Sequence, residues 1–89
     1  MAIEFTESAA KHGFTKDDAI AAMSHPLLYA PEFDVSRLGP ALPVSAWVGP
    51  ARGGLTLEVF ASSPAPRVLV VFHCMPVRDK TIRRIKEQL

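Results

Sequence analysis

The stretch Arg67-Val-Leu-Val-Val-Phe-His-Cys-Met-Pro-Val-Arg78 decides how this chain is read. Val68 to Cys74 shows no polar alternation, so it reads as a strand with both faces covered. Pro76 ends it, and the chain then supplies Arg78, Lys80, Arg83, Arg84 and Lys86 in quick succession. A buried strand that delivers His73 and a guanidinium to its exit is one way for a small α/β protein to build an anion site. The plain alternative is a strand leaving the core for a solvated basic helix.

Upstream, Val44-Ser-Ala-Trp-Val48 and Leu55-Thr-Leu-Glu-Val-Phe60 flank Gly49-Pro-Ala-Arg-Gly-Gly54, a hairpin-length connection of turn residues. Ser62-Ser-Pro-Ala-Pro66 makes the next turn. In the second strand Leu55, Leu57 and Val59 share one face, which puts Glu58 on the other with Thr56 and Phe60. There it either faces solvent or orients a histidine. Leu27 to Ala30 and Glu32 to Val35 are candidate short strands, but Pro31, Gly39, Pro40 and Pro43 make residues 31–43 read mostly as loop.

The helix signals lie at the two ends. Residues 2–5 read as extended, and Thr6 opens a brief helix from Glu7 to His12 that Gly13 stops. Thr15 is the N-cap of a second helix with Asp18 in capping-box spacing, Phe14 and Ala19 at the staple positions, and Pro26 at its end. Asp79 caps a third, whose apolar positions are Ile82, Ile85 and Leu89. The expected architecture is α+β: two N-terminal helices packed on a three- or four-stranded antiparallel sheet, with a short C-terminal helix.

A chain of 89 residues bounds this to a single domain, 1–89, with a thin core, so a homodimer or an obligate partner is a further expectation. No apolar stretch is long enough to span a bilayer and no signal-peptide pattern opens the chain, which points to the cytoplasm and away from a membrane. One cysteine excludes a disulfide framework, and His12, His25, His73 and Cys74 stand in no ligand spacing, so neither a metal nor a cofactor is expected. Cys74 reads as a small core residue rather than a thiolate. The net charge of +1 is unevenly spread, with residues 1–66 acidic and residues 67–89 basic. Such asymmetry suits an anionic partner, RNA or an acidic protein.

His73, Arg78 and Lys80 form the candidate catalytic group, with Lys11, His12, Arg52, Arg83 and Arg84 as candidate binding residues and Glu58 as an associate. RNA cleavage without a metal needs a base for the ribose 2′-proton, an acid for the leaving oxygen, and cations for the phosphorane. Histidine and arginine suit those tasks. A buried core histidine, a surface ion pair and a solvated lysine are the plain readings of the same residues.

Lys11-His-Gly13, Asp17-Asp-Ala19, His25-Pro26, Leu57-Glu-Val59 and Phe72-His-Cys-Met-Pro-Val-Arg78 with Lys80 form an ordered series. It resembles a group of small actinobacterial toxin-like proteins and is similar to BrnT-type toxins of the RelE/ParE superfamily. The chain departs from them in carrying Ile3-Glu-Phe5 where they have Trp, and in lacking an arginine inside the last strand. The resemblance implies a RelE/BrnT-like fold and a type II toxin-antitoxin endoribonuclease acting on mRNA. It implies a cognate antitoxin of ribbon-helix-helix type, with Lys11 and His12 at the helix junction and Arg78 at the strand end. The rival expectations are a non-enzymatic toxin and an interaction module, either binding a protein partner through the basic C-terminal helix.

Overall fold

A computed structural model describes residues 1–35 and 42–89. The element order is β1 (Ala2–Phe5), α1 (Glu7–Ala10), α2 (Lys16–Ser24), β2 (Leu28–Val35), β3 (Pro43–Pro50), β4 (Thr56–Ala65), β5 (Val68–Pro76) and α3 (Asp79–Glu87). The strands form one sheet in the order β1-β5-β4-β3-β2. β2 to β5 run as an antiparallel meander, and β1 lies parallel to β5, with Ile3 beside Leu69 and Phe5 beside Val71.

This corrects the expected architecture. The sheet is mixed and five-stranded, and the extended segment at residues 2–5 is an edge strand rather than a lead-in to two stacked helices. A parallel partner more than sixty residues away leaves no hairpin signal in the local sequence. At the opposite edge β2 runs through Pro31, which the sequence reading treated as the start of a loop. An edge strand needs no ladder donor on its outer side, and the register against β3 is irregular between Ala30 and Asp34, which spans Pro31. The rest of the expected loop, residues 36–41, lies outside the described residues. The expected turn at 62–66 is also shorter. β4 runs on to Ala65, and Pro66 and Arg67 make the reversal, Arg67 at a φ of 63°.

α1 and α2 form as their caps dictate. The Thr6 hydroxyl accepts from the Ala9 N–H at 3.2 Å, and Thr15 and Asp18 complete a reciprocal capping box. Both helices pack on one face of the sheet through small residues, Ala9, Ala19 and Ala22, all fully buried with Leu57, Val59, Ala61, Val71 and Cys74. The approach is close at Gly49, where a Cβ would stand 2.2 Å from the Ala22 carbonyl oxygen, so only glycine fits. On the opposite face α3 covers one end, burying Ile85 among Ala30, Phe33, Ala46 and Val48. Leu89, expected on the same stripe, is exposed.

One displaced residue sets which side chains reach which face. Phe60 opposes His73, but Ala61 opposes Val71, so Phe72 is an extra residue bulged out of the β4–β5 ladder. The bulge breaks the simple alternation that would place Cys74 with Val70 and Phe72. Cys74 lies instead with Val71 in the helix-covered core, while Val70, Phe72 and His73 all turn to the other face.

Candidate functional site

Glu58 is the centre of that other face. It is fully buried, yet it alternates along β4 with the core residues Leu57 and Val59. A buried carboxylate survives only with partners for its lone pairs. His73, two residues along β5 from Glu58's ladder partner Met75, brings Nε2 to 2.7 Å from Glu58 Oε2. Where the chain leaves β5, the Arg78 backbone N–H donates to Oε1 at 2.9 Å, and its Nε and Nη2 donate to Oε2 at 3.1 and 2.6 Å. The Thr81 hydroxyl adds a further bond.

The N-cap of α3 is Arg78 rather than the expected Asp79, which is already helical, and Arg78 makes no side-chain cap of its own. Glu58 therefore does from β4 what the acidic residue of a capping box does from within a helix: it holds the N-cap N–H. Burial pushes the Glu58 carboxyl upward. The bonds from His73, Arg78 and Thr81 outweigh that and leave it at about 2. The same carboxylate raises the Arg78 guanidinium above its ordinary value.

An ionised Glu58 carries no proton, so His73 Nε2 must be the protonated nitrogen and donates to it. Nδ1 is left as the ring nitrogen available for proton transfer. The imidazole is fixed on its faces as well, stacked on Phe60 with centroids 4.3 Å apart and an interplanar angle of 16°. The His12 ring meets it edge-on at 6.3 Å, so the junction of α1 and α2 does reach the strand exit.

Around this cluster lies a groove of about 810 Å³ between α3 and the β1–α1 corner. Of the sequence-named residues, His73, Arg78, Lys80, Lys11 and Arg84 line it. Arg84 is largely engaged in holding α3 to β2. It donates to the Phe33 carbonyl at 3.1 Å, pairs with Asp34 at 3.3 Å and sits 4.4 Å over the Phe33 ring. Two candidates fall elsewhere. Arg52, in the β3–β4 connection, pairs with Asp17 on α2 at 3.6 Å, and Arg83 is exposed outside the groove.

Sequence reasoning placed Glu58 among the associates and missed Phe60, Ser62, Phe72 and Thr81. One signal was available: a lone carboxylate inside the apolar run Leu57-Glu-Val-Phe60. Cys74 is no nucleophile here, being fully buried with its thiol pushed up to about 11 by desolvation and then by Asp18. Among the described residues no cluster of three or more His, Cys, Asp or Glu could hold a metal ion, and no helix is long and apolar enough to cross a membrane. No family model matches the chain, and neither a curated protein nor a solved structure shows significant similarity to it.

Proposed function

We propose that the chain is a metal-independent endoribonuclease of the toxin type, acting on single-stranded RNA and held in check by a cognate antitoxin. The observation that carries this reading is the Glu58–His73–Arg78 cluster at the wall of a groove edged by Lys11 and Lys80. In the reaction the ribose 2′-oxygen attacks phosphorus and the 5′-oxygen leaves, giving a 2′,3′-cyclic phosphate and a free 5′-hydroxyl. His73 Nδ1 takes the 2′-proton, with Glu58 orienting the ring through Nε2, and a solvent water protonates the departing 5′-oxygen. Lys80 and the uncommitted edge of Arg78 neutralise the non-bridging oxygens as charge builds on them. The toxin-antitoxin assignment draws on the resemblance of the Lys11-His-Gly13 and Phe72-to-Arg78 segments, and not on the fold.

The test is cleavage of single-stranded RNA by purified wild type, His73→Ala and Lys80→Ala, with RNA ends mapped in cells after induction. Lys80 is exposed, so its loss leaves folding intact. His73→Ala is expected to abolish cleavage and Lys80→Ala to lower it by 10-fold or more. Equal cleavage by all three would refute the assignment. A second reading is favoured by the commitment of Arg78 and Arg84 to carboxylates of the protein itself, which is what a rigid protein-binding surface uses. Growth arrest with intact RNA would select it.

A further inference from the structure

We infer that the groove is a subsite for one unpaired nucleobase, and that Ser62 is the residue that distinguishes one base from another. The inference rests on the ribonuclease reading and deepens it by naming what the site grips besides phosphate. Three observations carry it.

Ser62 is 5% exposed, and its Oγ has no hydrogen-bond partner among the described residues. A buried hydroxyl without a partner is uncommon in a folded protein and calls for an explanation. Ser62 lies on the groove face of β4, two residues beyond Phe60, and lines the groove. Rotation about a single bond re-aims its oxygen.

The wall around it is apolar and aromatic. Val44, Phe60, Val70 and Phe72 all line the same groove. Phe72 reaches it because of the bulge in β5, a device that commonly re-aims a side chain beside a functional site. Aromatic and apolar walls hold unstacked bases, whereas a duplex offers only its edges and backbone.

Two exposed amines also line the groove. Lys11 comes from the α1 side, and Lys80 from the first turn of α3. A base in the groove would leave its phosphates against these amines, as in single-strand sites that pair an aromatic floor with a cationic edge. A volume of about 810 Å³ is ample for one nucleotide. An acidic peptide bearing an aromatic side chain would meet the same amines and wall, and no binding of single-stranded RNA by wild type would select it.

The experiment is fluorescence anisotropy with 5′-labelled seven-nucleotide RNAs, oligo(A), oligo(U) and oligo(C), methylated at their 2′-oxygens so that they are not cut, beside a labelled RNA duplex. It is run on wild type, Ser62→Ala, Phe72→Leu and Lys80→Ala at one salt concentration. Wild type is expected to bind single strands at least tenfold tighter than duplex, with at least a tenfold spread in Kd among the three sequences. Ser62→Ala should compress that spread to threefold or less, and Phe72→Leu should weaken all single strands. Lys80→Ala should weaken every RNA by a similar factor and leave the spread intact. Ser62→Ala removes an unpaired buried hydroxyl, so its melting temperature should equal or exceed the wild type's and misfolding cannot imitate the result. A spread that survives in Ser62→Ala, or no spread in wild type, would overturn the proposal. Cleavage without base discrimination would remove the subsite and keep the ribonuclease. Discrimination without cleavage would do the reverse.

Discussion

The two faces of the sheet are built from the same strands by opposite means. On the helix-covered face, Leu57, Val59, Ala61, Val71 and Cys74 pack in one apolar cluster, and fit is set by alanines and one glycine. On the groove face, residues between them in the chain, Glu58, Phe60, Ser62 and His73, mix a buried charge, stacked rings and an unpaired hydroxyl. Stability on the first face comes from excluded water and close contact. On the second it depends on one carboxylate satisfying several donors at once. A strand can therefore serve packing and chemistry residue by residue, provided each polar group is closed off from the core behind it.

The largest break in this comparison should come from Glu58→Ala. It strands Arg78 and His73 without their shared acceptor and uncaps α3, so unfolding in urea is expected to show a loss of about 3–5 kcal/mol. A loss below about 1 kcal/mol would mean that the cluster is not structural. The next test is pH. The folded-state carboxyl at about 2 lies below its ordinary 4.5, so its contribution is fully present above pH 4.5 and is lost as pH falls toward 2. That contribution is about 3 kcal/mol, and the corresponding slope should be missing from Glu58→Gln.

Gly49→Ala probes the opposite face. Its new Cβ would press on a backbone oxygen of α2, which cannot swing aside as a side chain would, and about 1–3 kcal/mol should be lost. Because the strain sits across the sheet from Glu58, its effect should add to that of Glu58→Gln; strong coupling would show that the faces are not independent. Arg52→Ala should be the smallest change, within about 0.5 kcal/mol, because its partner Asp17 is as exposed as it is.

The parts legible in the sequence were those with local rules. Thr15 and Asp18 announce α2, the glycines and proline between Val48 and Leu55 announce the β3–β4 hairpin, and the apolar run after Arg67 announces β5. The parallel docking of β1, the passage of β2 through Pro31 and the bulge at Phe72 depend on distant partners or on a ladder slip, and none leaves a short-range mark. The site divided the same way. His73, Arg78 and Lys80 were visible as chemistry at a strand exit, and Lys11 and His12 were visible as a motif. What organises them is Glu58, whose alternation alone fits either a solvent-facing residue or a partner to histidine. Only the return of the chain past Pro76 decides between them, by laying Arg78 and α3 over the carboxylate.

The pairing of β1 with β5 also sets a clock. Residues 2–5 leave the ribosome well before their partners at 68–71, an interval of about 3–13 seconds at ordinary elongation rates. Until then β1 has no neighbour, and Glu58 has neither His73 nor Arg78 beside it. The growing polypeptide therefore passes through translation with its chemistry unassembled. Competence comes with the closing of β5, so the Glu58 cluster cannot assemble before His73 and Arg78 have been made.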